Sequence, residues 1–206
     1  MEIGIIGAGN IGGTLARRLG ALGHDVVVAN SRGPATLAEL AAAPGVTAGT
    51  VAEAAARDLV IVSIPTRAVP SLPADAFAGR IVVDTDNYYP QRDGRIDPIE
   101  DGQTSSRWTA EHLRGARVVK VFNTIYAGHL ADKGVPAGTP GRIALPVAGD
   151  DAEAKEVVSS LVDALGFDPV DAGGLDESWR QEPGTPVYGA DLDAAGVRAG
   201  LAAARR

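Results

Sequence analysis

Glu2-Ile-Gly-Ile-Ile-Gly-Ala-Gly-Asn-Ile-Gly-Gly13 decides the reading of this chain. Ile3 to Ile6 is a short apolar run of the kind that forms a buried strand. It passes directly into Gly7-Ala-Gly9-Asn10-Ile11-Gly12, and then into a helical pattern. In a strand, glycine turn and helix of this form, each glycine has its own task. Gly7 permits the tight turn, Gly9 lets a pyrophosphate approach the backbone, and Gly12 lets the helix lie close to the strand. The unpaired N–H groups and the dipole at the helix start then favour the phosphates. The context, more than the three glycines, makes this a dinucleotide site.

Working outward, Ile11, Leu15, Leu19 and Leu22 recur at helical spacing, and Gly23 supplies a stop before a second strand, Asp25 to Ala29. That strand ends in Asn30-Ser31-Arg32. An NAD site commonly places an acid about 20 residues past the glycines for the ribose 2′-OH, whereas an NADP site drops the acid and adds an arginine. Here the acid is absent. Asn30 removes the repulsion, Ser31 offers a hydroxyl and Arg32 a planar fork suited to a phosphate dianion, so NADP(H) is the expected cofactor.

Pro34 to Ala43 reads as an alanine-rich helix, Gly45 to Ala48 as an edge strand, and Val51 to Ala56 as a small helix. Asp58-Leu-Val-Ile-Val-Ser-Ile-Pro65 is an uninterrupted apolar run, the mark of a parallel strand buried on both faces. Ser63, Ile64 and Pro65 therefore fall at a strand's carboxyl end, beside the first strand, where ligands bind in open α/β sheets. Further strands are expected at Arg80 to Asp84, Arg117 to Phe122, Arg142 to Ala148 and Phe167 to Asp171, with helices through Leu113 and Leu165. The first two end in polar groups, Asn87 and Asn123 among them. Gln91 to Gly102 reads as a surface excursion. The alternation predicts a Rossmann-type, doubly wound, mostly parallel sheet with helices on both faces and a small C-terminal extension. Residues 1–175 would form the NADP-binding domain, and 176–206 a tail and helix packing on the site or on a dimer interface.

Composition narrows the function. The chain has 206 residues, and its net charge of -7 and aromatic share of 4% argue against a nucleic-acid groove. No cysteine is present, which excludes disulfides and thiolate chemistry. No apolar run is long enough to span a membrane, so a cytoplasmic protein is expected. The apolar tail helix, Leu192 to Ala204, and Trp179 suggest a homodimer by their need for cover.

Taken together, Gly7-Ala-Gly-Asn-Ile-Gly12, Gly23-His-Asp-Val, Asn30-Ser-Arg32, Val60-Ile-Val-Ser-Ile-Pro65, Lys120-Val-Phe-Asn-Thr124, Val147-Ala-Gly-Asp-Asp151 and Asp171-Ala-Gly-Gly-Leu175 resemble the NADPH-dependent coenzyme F420 reductase family. A similar nucleotide module occurs in membrane-anchored animal metalloreductases. The resemblance covers residues 2 to 175. It implies NADPH lying over the sheet with a flat deazaflavin or flavin stacked on its nicotinamide. It also implies Ser31 and Arg32 at the 2′-phosphate, Gly9 to Ile11 at the pyrophosphate, and Ser63 to Pro65 with Asn123 beside the nicotinamide. The glycine turn is one residue shorter than the Gly-Gly-Thr-Gly form of the F420 reductases. Asn87-Tyr-Tyr-Pro90 and Ser178 to Tyr188 resemble instead a bacterial dinucleotide-binding branch.

Hydride transfer to a flavin-like acceptor needs stacking and orientation more than an acid or base. No metal set or nucleophile triad has a recognised spacing here. His129, Tyr88 and Arg180 are the candidates for binding or protonating a substrate. Two other readings stay open, a non-catalytic NADPH sensor and a reductase of small carbonyls or imines. For the second, the roughly 30 residues of tail are too few for the helical domain that such enzymes carry.

Overall fold

A computed structural model describes all residues, 1–206. Eight strands form one sheet: β1 (Glu2–Ile6), β2 (Asp25–Ala29), β3 (Val46–Ala48), β4 (Leu59–Val62), β5 (Ile81–Asp84), β6 (Arg117–Lys120), β7 (Ala144–Gly149) and β8 (Asp168–Asp171). Their spatial order is β3-β2-β1-β4-β5-β6-β7-β8. Strands β1 to β6 are mutually parallel, β7 runs antiparallel to β6, and β8 is parallel to β7. The order reverses between β1 and β4, so a crevice opens at their carboxyl ends.

The helices are α1 (Asn10–Ala21), α2 (Ala38–Ala41), α3 (Val51–Ala55), α4 (Pro90–Asp93), α5 (Asp97–Glu100), α6 (Ser105–His112), α7 (Ala127–Asp132), α8 (Ala152–Ala164) and α9 (Ala194–Ala203). None is long and apolar enough to cross a membrane. Pro34–Leu37, Thr66–Ser71, Ala74–Phe77 and Leu175–Gln181 are 3₁₀ turns. The expected helix from Pro34 to Ala43 is thus a 3₁₀ turn followed by one α turn. The 3₁₀ form persists only in short pieces, and the α turn that follows it ends at Ala41.

The valine and isoleucine strands are buried on both faces and divide the core in two. On one face Ile3, Ile5 and Val28 pack with Leu15 and Leu19 of α1 and with Val158 and Val162 of α8. On the other, Val60, Val62 and Val82 pack with Ala54, Ala55, Phe77 and Trp108. A third cluster joins Ala144, Ala148 and Val170 of β7 and β8 to Val187 and to Val197 and Leu201 of α9. The apolar face of the last helix, which with Trp179 prompted the expectation of a dimer, is covered within the chain at Val197 and Leu201. The expected surface excursion, Gln91 to Gly102, contains the end of α4 and all of α5, and it turns Asp93 inward to 8% exposure.

Candidate functional site

Gly7 holds φ +110°, and its N–H donates to Ala29 O at 2.8 Å, tying the turn to the end of β2. A Cβ on Gly7 would lie 2.0 Å from Ser63 O, and one on Gly12 would lie 1.9 Å from Gly7 O. Both positions admit only glycine. Gly9 differs, because its Cβ would meet nothing within 4 Å and would project into open space at the start of α1. No side chain caps this helix and no acid sits in its first turn. The amides of Asn10, Ile11 and Gly12 have no acceptor within the chain. A cradle lined by free N–H donors is the donor set that a pyrophosphate fits.

Among the clefts that meet at this turn, two flank the switch point. One, of about 730 Å³, runs from Gly7 to Gly9 past Asn30, Ser31 and Arg32 and over Ser63 to Pro65. The other, of about 340 Å³, shares Gly9 and Ser63 to Pro65, includes Asn10 and Ile11, and extends to Asp86, Asn87, Phe122, Asn123 and Tyr188. They lie on either side of the switch point, as the two halves of a dinucleotide require.

At the end of β2 the three expected residues divide their work. Asn30 Oδ1 accepts the Arg32 N–H at 2.9 Å, and its Nδ2 donates to Thr36 Oγ1 at 2.9 Å, so Asn30 shapes the turn. Ser31 and Arg32 are exposed at the cleft edge, and the Arg32 guanidinium has no carboxylate partner in the chain. Asn87 and Asn123 are likewise occupied. Asn87 Nδ2 donates to Asn123 O at 2.9 Å, and Asn123 Nδ2 donates to Asn87 Oδ1 at 3.0 Å. Both line the cleft, but their amides hold the carboxyl ends of β5 and β6 together. Phe122, at φ +64°, makes the left-handed step that turns Asn123 out of the strand line.

None of the three candidate catalysts lines either cleft. His129 Nδ1 is bound to Asp191 at 3.0 Å, Tyr88 donates to Glu100 at 2.7 Å, and Arg180 pairs with Glu177 at 3.1 Å. Each has a local partner that takes its polar atom away from the crevice.

Asn10, Ile11, Ser63 to Pro65, Asn87 and Asn123 all line the second cleft as expected, but the buried polar group behind it was given no role. Lys120 is fully buried. Its Nζ donates to Asp86 O at 2.9 Å, to Ser105 Oγ at 3.1 Å and to Ser106 Oγ at 2.9 Å. Ser106 Oγ donates to Asp84 Oδ2 at 2.6 Å, and Asp84 Oδ1 accepts the Asp86 N–H at 2.9 Å. The signal was present, since a lysine among the valines of an all-buried strand must find partners inside. Across the mouth, the Tyr89 and Tyr188 hydroxyls share a short hydrogen bond, and Arg92 lies 5.0 Å over the Tyr89 ring. Burial, reinforced by the Tyr89 hydrogen bond, pushes the Tyr188 phenol up to about 12. Asp86 is held well above the usual carboxylate range, first by burial and then by Asp84 beside it.

An open, mostly parallel sheet, a glycine turn feeding an uncapped helix, and clefts flanking the switch point define a dinucleotide-binding protein of the doubly wound class. The family described as NADP oxidoreductase, coenzyme F420-dependent, matches residues 2–88. The Sinorhizobium meliloti protein SMa0349 superposes with a TM-score of 0.78 at 36% identity, over 91% of this chain and 93% of that one. A candidate F420-dependent NADP reductase from Arthrobacter sp. FB24 gives a TM-score of 0.75 at 29% identity, over 86% and 87% of the two chains. Rat metalloreductase STEAP3 is 34% identical over 179 residues, 84% of this chain and 34% of that protein. The chain spans less than half the length of the curated relatives it matches. Its residues 2–88 belong to the F420-dependent NADP oxidoreductase family.

Proposed function

We propose that the protein moves hydride between NADP(H) and a flavin-like acceptor, with coenzyme F420 the first acceptor to test. What supports the reading is the second cleft, which is continuous with the nucleotide cleft through Gly9 and Ser63 to Pro65 and is walled by Tyr89, Tyr188 and Phe122. Aromatic walls suit a planar ring. The family and the Arthrobacter protein share the F420 description, which favours a deazaflavin over a small carbonyl substrate.

In this reading the free amides at the start of α1 hold the pyrophosphate, and Ser31 with Arg32 holds the 2′-phosphate. Ser63 to Pro65, with the Asn87–Asn123 pair behind, forms the floor on which the nicotinamide rests. Bound NADPH supplies the hydride and both of its electrons. The chain contributes alignment, by fixing the floor through backbone-anchored amides, and exclusion of water, by closing the mouth with the tyrosine pair.

The test follows NADPH oxidation with F420, FMN, FAD, ferric chelates and quinones in turn. Turnover with F420 or a flavin is expected. Tight NADPH binding with no turnover of any acceptor would overturn the reading in favour of a non-catalytic sensor.

A further inference from the structure

We propose that Asp86 stands in the acceptor cleft as an uncharged carboxylic acid, and that its Oδ2–H is donated to the acceptor atom on which negative charge collects as hydride arrives. This rests on the oxidoreductase reading above, and it assigns a proton donor to a site in which the expected candidates point elsewhere.

The geometry carries the argument. Asp86 forms part of the cleft wall yet is only 6% exposed. Its Oδ1 accepts the Ile64 N–H at 3.0 Å. Its Oδ2 is buried and has no hydrogen-bond partner anywhere in the chain. A buried carboxyl oxygen without a donor is costly as half of a carboxylate, and much less so as the hydroxyl of an acid awaiting an acceptor. A molecule the size of water does not reach this oxygen in the chain as it stands, so the donor role requires the Asp86 carboxyl to turn toward the cleft it lines.

The surrounding charges agree. Four elements bring charged or titratable groups to Asp86: Asp84 from β5, Lys120 from β6, Arg92 and Asp93 from α4, and the Tyr89–Tyr188 pair at the mouth. Lys120 lies 3.9 Å from Asp84 Oδ2, and its three donors go to the Asp86 backbone carbonyl and to two serines, leaving none for the Asp86 carboxyl. Arg92 gives Nε and Nη2 to Asp93, at 3.1 Å and 2.8 Å, and Nη2 also to Asn87 O at 2.6 Å. Each cation has a nearer carboxylate, and Asp86 is the third acid, with no direct ion pair of its own. Burial and the neighbouring Asp84 raise its proton affinity by more than Lys120, the Ile64 amide and Arg92 lower it. The protonated form is the one this pocket accommodates.

The step balances. One hydride leaves C4 of the dihydronicotinamide with both electrons, oxidising it, and bonds to the acceptor ring, which is reduced. One proton leaves Asp86 Oδ2 for the ring nitrogen or carbonyl oxygen where the charge has gathered. Asp86 is left as carboxylate and takes its next proton when the carboxyl is turned into the emptied, solvent-filled cleft. The acceptor class follows from this. It is a planar heterocycle presenting a hydrogen-bond-accepting nitrogen or oxygen on the edge that faces Asp86, as flavins and deazaflavins do.

The test combines infrared and transient kinetics on the full chain. In the ligand-free protein at pH 7, a carboxylic-acid carbonyl stretch is expected that disappears in Asp86→Asn. On adding NADP⁺ with oxidised F420 it should move to lower frequency. In single-turnover reduction of F420 by NADPH, Asp86→Asn should slow the reaction about 10²- to 10⁴-fold and abolish its fall at high pH, with NADPH affinity unchanged. Asp86→Glu should restore part of the rate. Absence of the wild-type band at pH 7, or equal rates in wild type and Asp86→Asn, overturns the role of Asp86 while the oxidoreductase reading stands. A wild-type protein that binds NADPH and reduces no acceptor overturns that reading instead. In that protein, a band that NADP⁺ and F420 leave unmoved overturns the donor role as well. The band is recorded on wild type, so a poorly folding variant does not remove the test.

Discussion

Asn123 and Gln181 clasp each other. Asn123 Nδ2 donates to the Gln181 carbonyl at 2.7 Å, and Gln181 Nε2 donates back to Asn123 Oδ1 at 2.9 Å, with both residues at 5% exposure or less. The pair fixes the last 3₁₀ turn to the carboxyl end of β6. Gln181→Ala removes the return donor and strands a buried oxygen. It should cost about 1–3 kcal/mol, read as a fall of roughly 2–4 °C in Tm per kcal/mol for a chain of this size. Because Tyr188 follows on the same segment, KM for the acceptor should rise while Kd for NADPH stays put. Equal losses in both would show that the clasp supports the whole crevice.

Gly9 and Gly12 should respond in opposite ways to the same methyl. Gly9→Ala meets nothing within 4 Å, so the fold is retained while the new Cβ occupies the pyrophosphate cradle and NADPH binding is lost. Gly12→Ala drives a Cβ to 1.9 Å from Gly7 O and should lower Tm sharply. A melt and a fluorescence titration of each variant check both halves. A Gly9→Ala protein that bound NADPH normally would place the phosphates elsewhere.

Arg32 has no carboxylate partner in the chain, so its removal leaves no orphaned group. Arg32→Ala should keep wild-type stability within about 0.5 kcal/mol, as surface substitutions do. Losing a charge-assisted contact of about 1.5–3 kcal/mol should weaken NADPH binding roughly tenfold to a hundredfold and leave NADH binding nearly as it was. Unchanged NADPH-over-NADH preference would sink the assignment.

Asp86 should also set a pH dependence of stability. Its folded pKa lies well above the ordinary 3.8, so from pH 4 upward the folded chain holds a proton that the unfolded chain has released. Stability from this group is complete below the ordinary value and is lost as pH rises toward the folded value. Asp86→Asn, which cannot ionise, should therefore be more stable than wild type at pH 7 to 8, and the advantage should vanish near pH 4. Melts of both proteins across that range decide it; a variant less stable at every pH would mean that the carboxylate is the native form.

Much of the donor half was legible because its constraints are local. The glycine turn needs β1 before it and α1 after it, all within residues 2 to 21, and the apolar run of β4 announces a strand covered on both faces. The end of β2 was legible by its missing acid, although the sequence did not show that Asn30 spends its amide on Thr36. The acceptor half depends on meetings across the chain. Tyr89 and Tyr188 are 99 residues apart, and Asn123 and Gln181 are 58 apart. No spacing rule connects such residues. Strand direction was equally hidden, since Arg142 to Ala148 carries the same apolar character whichever way it runs. Only its pairing with β6 shows β7 to be antiparallel.

That reversal has a consequence for kinship. Because β8 ends at the edge of the sheet opposite the crevice, the chain must climb back along α6 before Gln181 and Tyr188 reach the mouth. Phe122, Asn123, Ile125 and Tyr188 in the second cleft are thus written outside residues 2–88, the part the family shares. Relatives alike in residues 2–88 alone share the glycine turn but not that part of the second cleft.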